Sequence, residues 1–289
     1  MKIVITGATG FIGHHVRNVL AKTDHVVVLV VRNVKKVGDR AANEEIVVAD
    51  LSQARTDWFE LFGKPDAVLH LAWGGLPNYM DSYHVDVELP MQLKFLQSLV
   101  DSGLKKLVVA GTCYEYGLSS GAISESQTTN PNTPYGVAKD SLRKALFETR
   151  TKKDFELTWA RVFYPYGEGQ SRQSLYSVIK ATANSIEPEL MLSNSDSTLD
   201  FLSVIELSEI LIVLTVSLGE VGLVNLGSGQ PISVINFARA LTKANGWSVN
   251  FRVSPEPSRI FESKCFWSDS SKLTGLLSAY QTLNRQLND

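Results

Sequence analysis

Short apolar runs alternate along the chain with longer stretches whose apolar residues recur every three to four positions. The runs are too short and too rich in β-branched residues for helices, so they predict buried parallel strands. They fall at residues 2–5, 25–31, 45–49, 66–71, 106–110, 155–162 and 221–226. The helical spacing starts at residue 11 and returns at 89–99, 136–150, 175–183 and 233–243. This alternation predicts an α/β fold with a doubly wound parallel sheet and right-handed crossovers.

A glycine-rich turn lies between the first predicted strand and the first helix. Gly7, Gly10 and Gly13 would provide a tight turn, a close backbone approach and a close contact between helix and strand. Bare backbone N–H groups at a helix N-terminus bind a pyrophosphate when no side chain obstructs them. A glycine pattern alone is weak evidence for a dinucleotide site, and the strand and helix that flank it here strengthen that evidence. The turn therefore predicts a dinucleotide site.

After residue 162 the alternation becomes less regular, with turn-forming residues at 164–170 and prolines at 255 and 257. We therefore predict a Rossmann-type dinucleotide-binding domain over residues 1–165, with return segments near 199–228. Residues 166–198 and 229–289 are predicted to form a small C-terminal substrate-binding lobe.

Composition narrows the function classes. A net charge of −2 over 289 residues gives no electrostatic reason to expect a nucleic acid or an acidic membrane surface as a partner. The two cysteines, Cys113 and Cys265, have neither metal-ligand spacing nor a disulfide framework, so we predict no metal. No signal peptide is recognisable at the N-terminus, and the apolar run 211–216 is too short to span a bilayer. These observations predict a cytoplasmic protein.

Tyr135 and Lys139 lie four residues apart on a predicted helix and therefore share a face. A phenol has a pKa of about 10, and a neighbouring ammonium favours the phenolate and lowers that value. The pair fits acid–base catalysis, although the start of an amphipathic helix with an exposed lysine would look the same. Thr112 follows the fifth predicted strand, where ligands of open α/β sheets bind, or it makes a local turn hydrogen bond.

Together these segments resemble the extended short-chain dehydrogenase/reductase superfamily, in its nucleotide-sugar epimerase/dehydratase/reductase branch. The resemblance covers almost the whole chain and includes residues 6–13, 50–51, 70–72, 110–117, 134–139, 161–167, 200–204 and 225–229. It implies that Thr112, Tyr135 and Lys139 are catalytic. The cofactor-binding residues that we predict are Gly7, Thr9, Gly10, Phe11, Ile12, Arg32, Asp50, Leu51, Leu71, Ala72, Trp73, Tyr135, Lys139 and Val162.

The cofactor prediction depends on the end of the second strand, where NAD-binding folds usually place an acid. Arg32 occupies this position, and Lys35 and Lys36 follow. A guanidinium suits a 2′-phosphate, so we predict a preference for NADP(H), with NAD(H) as the alternative if this basic cluster is only a solvated loop.

Departures from the family pattern bear on the reaction and the substrate. Cys113 and Tyr114 occupy the positions of the Asp-Glu pair that dehydratases carry, which argues against dehydration. Tyr164 replaces the usual Asn after the sixth strand, and Leu199 replaces a common Arg. The predicted substrate-binding residues are Trp73, Cys113, Tyr114, Tyr164, Arg172 and Arg259. The simpler alternatives are core packing for the aromatic residues and solvated charges for the two arginines.

The resulting prediction is an NAD(P)-dependent reductase of the 4-keto group of a nucleotide-linked 4-keto-6-deoxyhexose. The resemblance implies that Tyr135 donates the proton, that Thr112 polarises the carbonyl, and that Lys139 holds the cofactor ribose and lowers the pKa of Tyr135. A nucleotide-sugar 4-epimerase and a non-catalytic dinucleotide sensor are the alternatives. A nucleotide sugar is the predicted partner, with a homodimer left open.

Overall fold

The structure is a computed structural model that describes residues 1–216, 219–254 and 261–288, with side chains as far as residue 282. The strands of its main sheet and the short strands between them are β1 (Lys2–Thr6), β2 (Val26–Val31), β3 (Glu44–Val48), β4 (Ala67–His70), β5 (Lys106–Thr112), β6 (Gly121–Ile123), β7 (Glu156–Val162), β8 (Pro165–Tyr166), β9 (Glu189–Leu192), β10 (Thr198–Leu199), β11 (Leu202–Ser203) and β12 (Gly222–Leu226). The chain continues with β13 (Ile232–Ser233), β14 (Asn250–Val253) and β15 (Cys265–Ser268).

Helices connect these strands. They are α1 (Phe11–Leu20), α2 (Trp58–Leu61), α3 (Leu89–Asp101), α4 (Pro134–Lys152), α5 (Leu175–Ala183), α6 (Val204–Val216), α7 (Val234–Asn245) and α8 (Ser271–Asn288). Shorter turns of 3₁₀ helix span Val34–Lys36 and Cys113–Tyr116, and a π-helical turn, His84–Glu88, runs directly into α3. Among the described residues, no helix has the length and apolar character needed to cross a membrane.

The main sheet has seven strands in the order β3-β2-β1-β4-β5-β7-β12, and every neighbouring pair is parallel. The predicted fold class, an α/β fold of Rossmann type with a doubly wound parallel sheet, is confirmed. Each of the seven strands lies where an apolar run predicts it, within one or two residues at the ends. The carboxyl ends of parallel strands meet at one edge, and the strands place Thr6, His70, Thr112 and Val162 there.

Two layers of apolar side chains pack on the faces of this sheet. One layer contains residues of α1, α6 and α8, including Val16 and Leu207. The other contains residues of α3 and α4, including Phe95, Leu96 and Leu142. At about 25 cal/mol per Å² of buried apolar surface, these layers are the main source of stability, and they fix α1 and α4 against the sheet edge.

Three smaller sheets lie outside the main one, in the orders β13-β10-β15-β6, β11-β8 and β14-β9. The first sheet joins β6, from the predicted dinucleotide-binding domain, to β15, from the predicted C-terminal lobe. The chain thus crosses between the two predicted units more than once. The proposed boundaries at 1–165, 199–228, 166–198 and 229–289 stay a prediction.

Candidate active site

The glycine turn between β1 and α1 leaves no room for side chains. Gly7 has a φ of +71°, and a Cβ atom on it would lie 2.8 Å from the backbone nitrogen of Ala72. A Cβ atom on Gly13 would lie 2.2 Å from the carbonyl oxygen of Gly7. Gly10 is the N-cap of α1, and no side chain caps this helix. The residues therefore fit a dinucleotide pyrophosphate, which needs open N–H groups at a helix N-terminus.

The segment that follows β4 is tied to this turn. Thr6 Oγ1 lies 2.9 Å from His70 Nδ1 and accepts a hydrogen bond of 3.3 Å from the N–H of Ala72. Burial, with a further effect from the Lys139 charge, lowers the pKa of His70 to about 3. His70 is therefore neutral at physiological pH and holds residues 70–72 against the glycine turn.

The side chains predicted to meet the adenosine half of the cofactor follow β2 and β3. Arg32 comes directly after β2 and is exposed, and Asp50 accepts a 3.0 Å hydrogen bond from the N–H of Ser52. The pKa of Asp50 is lowered mainly by its hydrogen bonds with Ser52, and the charge of Arg32 adds to this effect. Arg32 and Asp50 therefore lie near each other at the carboxyl edge of the sheet.

Helix α4 brings the predicted catalytic pair to the same edge. Thr133 caps the helix by accepting a 3.0 Å hydrogen bond from the N–H of Gly136, and Pro134 occupies its first turn. This start places Tyr135 and Lys139 one turn apart, and both are buried, at 8% and 3% exposure. The Thr112 side chain acts on the pKa of Tyr135, so the three predicted catalytic residues lie close together. Their catalytic roles stay a prediction.

Burial governs the acid–base properties of Tyr135. It raises the pKa of the phenol well above 10, the nearby Tyr79 acts in the same direction, and the hydrogen bond with Thr112 opposes them. We expected from the sequence that Lys139 would lower this pKa, and in the structure the cost of burying the phenolate outweighs any such effect. Tyr135 is consequently a protonated phenol at neutral pH.

Lys139 is held between the sheet and an aromatic ring. Its Nζ donates a 2.9 Å hydrogen bond to the carbonyl oxygen of Ala110 and lies 4.0 Å from the centre of the Trp73 ring. Burial lowers the pKa of Lys139 to about 8, whereas the carboxylates of Glu115 and Glu88 raise it. The ammonium form therefore predominates at neutral pH and is lost as the pH rises above about 8.

A small pocket lies beside the turn that follows Thr112. The predicted substrate residues Cys113, Tyr114 and Tyr164 line it together with Phe261 and Glu262. Tyr114 donates a hydrogen bond to Glu262, and its ring stacks on Tyr79 with 4.9 Å between the ring centres. Burial raises the pKa of Cys113, so its side chain is a neutral thiol.

The other predicted substrate residues have different positions. Trp73 lies on the catalytic side, where it donates a 3.1 Å hydrogen bond to Nδ1 of the buried His84. Arg172 is exposed in the turn before α5 and does not line this pocket. Arg259 lies outside the described residues. In the described part of the chain, no cluster of three or more His, Cys, Asp or Glu side chains is placed to bind a metal.

Sequence reasoning missed three residues of this region. Glu115 lies within the segment 110–117 but had no role assigned to it, and its contacts outside its own turn come from β7 and α4. Glu262 reaches Tyr114 from 148 residues further along the chain. His84 holds Trp73 and contacts the carbonyl oxygen of Asn78 at 3.0 Å. Glu115 and His84 are marked only by their burial, and Glu262 only by its long-range contact with Tyr114. Neither property is visible in a single sequence.

Residues 3–227 match the model of the NAD dependent epimerase/dehydratase family. This match defines a nicotinamide-dependent enzyme of nucleotide-sugar metabolism, as the sequence predicted, and the chain belongs to the NAD dependent epimerase/dehydratase family. The resemblance stated from the sequence is confirmed. The family consists of enzymes, so the match does not support the alternative of a non-catalytic sensor.

Individual proteins of this family are similar along most of the chain. dTDP-6-deoxy-L-talose 4-dehydrogenase (NAD(+)) of Aggregatibacter actinomycetemcomitans is 28% identical over 271 residues, which cover 92% of this chain and 99% of that protein. UDP-glucose 4-epimerase of Neisseria meningitidis serogroup C is 25% identical, with 93% and 89% covered. The structure of UDP-N-acetylglucosamine 4-epimerase from Methanobrevibacter ruminantium M1 has a TM-score of 0.81 at 20% identity, with 95% and 91% covered, and supports the fold alone.

Proposed function

We propose that this chain is an NAD(P)-dependent reductase of the 4-keto group of a nucleotide-linked 4-keto-6-deoxyhexose. The observation that carries the proposal is the Tyr135 phenol, which is 8% exposed and lies close enough to the Thr112 side chain for Thr112 to act on its pKa. Reduction of a carbonyl needs a proton donor. The protonated phenol of Tyr135 can act as that donor.

Two further observations support the same reaction. Cys113 and Tyr114 follow Thr112 where dehydratases carry acids, and burial raises the pKa values of both side chains. Neither side chain can act as the carboxylic acid and carboxylate that an elimination requires. The relative from Aggregatibacter is named as a 4-dehydrogenase of a dTDP-linked 6-deoxy sugar, and the similarity extends over almost its entire length.

Thr112, Tyr135 and Lys139 each have a separate role in the proposed reaction. The reduced nicotinamide, when bound, supplies the hydride that the carbonyl carbon gains. Thr112 hydrogen-bonds the carbonyl oxygen and keeps it beside the phenol of Tyr135, which transfers its proton to that oxygen and completes the alcohol. Lys139 stays charged and buried below about pH 8, where its ammonium stabilises the phenolate left behind. Tyr135 must then regain a proton before the next turnover.

The family establishes a nicotinamide cofactor, and we propose NADP(H) as the preferred one. Arg32 supports this, because it is exposed at the end of β2 and its charge acts on Asp50. The similar dehydrogenase is named for NAD+, so the preference requires a direct test.

Replacement of Arg32 by Gln is expected to reduce kcat/KM with NADPH roughly tenfold to a hundredfold, the effect of about 1.5–3 kcal/mol for a hydrogen bond to a charged group. The value for NADH should change by no more than about twofold, because its ribose carries no 2′-phosphate. Lys22→Gln, which removes one exposed positive charge outside this basic cluster, is the control. Wild-type protein that uses NADH as well as NADPH would contradict the preference.

A nucleotide-sugar 4-epimerase is the second candidate, favoured by the similarity to UDP-glucose 4-epimerase. An epimerase retains its cofactor through oxidation and reduction, whereas a reductase exchanges it in every turnover. We therefore expect the purified protein to contain little bound cofactor. A cytoplasmic location and a homodimer stay predictions.

The test is incubation with dTDP-4-keto-6-deoxyhexoses and NADPH or NADH, followed by absorbance and product NMR. We expect one molecule of reduced cofactor to be consumed for each 4-keto sugar reduced. A parallel incubation contains a 4-hydroxy nucleotide sugar. Interconversion of its two 4-hydroxy epimers without a net change in nicotinamide absorbance, together with no reduction of the 4-keto sugar, would contradict the reductase and support the epimerase.

A further inference from the structure

Glu115 is a fully buried carboxylate directly beside the catalytic residues, with 0% of its surface exposed. It accepts hydrogen bonds from the backbone N–H of Thr112 at 2.8 Å, from Trp159 Nε1 at 2.9 Å and from Arg161 Nε at 2.6 Å. A buried charge is costly unless it is paired, and replacing an ion pair by apolar residues is often neutral or stabilising. Stability alone therefore gives no reason for a carboxylate at this position.

The partners of Glu115 come from the elements that carry the proposed active site. Arg161, on β7, is 1% exposed and stacks over the ring of Tyr116 at 4.2 Å. Arg143, on α4, lies 3.7 Å from Glu115 and forms a 2.7 Å ion pair with Asp140, the residue after Lys139. Glu115 thus links the turn that follows β5 to β7 and to the helix that carries Tyr135.

The hydrogen bond to Thr112 fixes the backbone of that turn. Thr112 begins the 3₁₀ helix Cys113–Tyr116, in which Thr112 Oγ1 accepts a 3.3 Å hydrogen bond from the N–H of Tyr114. The Glu115 carboxylate completes this capping box from the other side. Without it, the Thr112 hydroxyl would lose one of the two constraints that keep it beside Tyr135.

The charge of Glu115 also acts on Lys139. The charged groups that act on this ammonium from neighbouring elements are Glu115 after β5 and Glu88 before α3. Lys139 in turn contributes to the lowered pKa of His70 on β4, which stays neutral. Burial lowers the pKa of Lys139, and both carboxylates raise it. Glu115 raises this pKa more than Glu88 does.

We propose that Glu115 is a positioning residue of the reaction, which holds the Thr112 turn in place and sets a buried negative charge against the helix that carries Tyr135 and Lys139. This inference rests on the proposed function, because it assumes that Thr112, Tyr135 and Lys139 perform the chemistry. It adds a residue that contacts neither the substrate nor the cofactor and acts through two residues that do.

Two variants separate the two effects. Glu115→Gln keeps an oxygen that can accept from Thr112 but removes the charge, so the alkaline limb of the kcat profile should move to lower pH by about one unit. Glu115→Asp keeps the charge but shortens the side chain, so kcat should fall roughly tenfold while the limb stays near pH 8. Glu115→Asp retains a charge for Arg161 and is expected to fold even where Glu115→Gln does not.

The chain offers a matched control in Glu44, a buried carboxylate at the start of β3. It forms a 2.9 Å ion pair with the buried Arg17, and the two side chains are 2% and 6% exposed. Glu44→Gln should lower Tm and leave kcat and the alkaline limb unchanged. The proposal is wrong if Glu115→Gln and Glu115→Asp both behave like Glu44→Gln. If Glu115→Gln does not fold, the proposal is wrong if Glu115→Asp retains wild-type kcat.

A second measurement keeps this inference distinct from the proposed reaction. The fluorescence of NADPH bound to wild type should weaken above about pH 8, where Lys139 loses its proton. The same loss should begin at lower pH in Glu115→Gln and at the wild-type pH in Glu44→Gln. If the protein reduces no 4-keto sugar but NADPH binding still shows this shift in Glu115→Gln, the proposed function is wrong and the role of Glu115 stands. An identical pH dependence of NADPH binding in all three proteins would overturn the role of Glu115.

Discussion

Replacing Tyr135 by Phe is expected to reduce kcat on the order of 10²-fold or more, the scale of a lost general acid. The phenol is the proton donor in the proposed reaction, and the substitution removes only its oxygen. The fold and cofactor affinity should be retained, because the ring still packs against Trp73, Tyr79 and His84. Steady-state rates with a 4-keto nucleotide sugar and a direct cofactor titration measure the two properties separately.

Tyr116→Phe is the matched control for this experiment. Tyr116 is also buried, at 1% exposure, and its hydroxyl donates a 2.7 Å hydrogen bond to Asn225. Its loss should cost about 1 kcal/mol of stability and leave kcat close to the wild-type value. A Tyr135→Phe enzyme with near-normal kcat, or an equal loss in Tyr116→Phe, would contradict the assignment of Tyr135 as proton donor.

Gly13→Ala is expected to abolish measurable cofactor binding at ordinary concentrations. The added Cβ would lie 2.2 Å from the carbonyl oxygen of Gly7, so α1 must move away from the turn that its N-terminus completes. Such overpacking costs about 1–3 kcal/mol of stability. The displaced N–H groups would no longer face a pyrophosphate, so we expect cofactor binding to be affected more than stability. Thermal unfolding and NADPH titration measure the two effects.

Gly275→Ala provides the comparison, since Gly275 also lies in a helix and no atom within 4 Å would meet its Cβ. Helix propensity favours alanine over glycine, so stability should be unchanged or slightly higher and cofactor binding normal. Wild-type cofactor affinity in Gly13→Ala would show that the close approach at the glycine turn is not required.

Much of the framework follows from local sequence alone. Strand β2, for example, is a run of β-branched and other apolar residues that is buried over Val27–Val31, so the apolar pattern marks the strand without reference to the rest of the chain. The glycine turn is similarly local. Helix α6, Val204–Val216, was not predicted, because apolar residues occupy most of its surface and erase the periodicity that identifies a helix.

The environment of the site could not be read from the same patterns. The pKa of Tyr135 depends on the burial created by α4, β5 and the Tyr79 segment, so the helical spacing of Tyr135 and Lys139 gave the wrong direction. Glu262 and Tyr114 meet only after the chain returns 148 residues later. Long-range contacts of this kind set desolvation and charge, and a single sequence contains neither.

The most direct test of net reduction is the fate of a labelled hydride. Wild-type protein is incubated with a dTDP-4-keto-6-deoxyhexose and an excess of NADPH that carries deuterium at the transferable C4 position, and the sugar is analysed by NMR and mass spectrometry. The proposed function predicts deuterium at C4 of every product molecule, with equal consumption of reduced cofactor. A 4-keto sugar that remains unreduced and unlabelled, with no consumption of the deuterated NADPH, would contradict it.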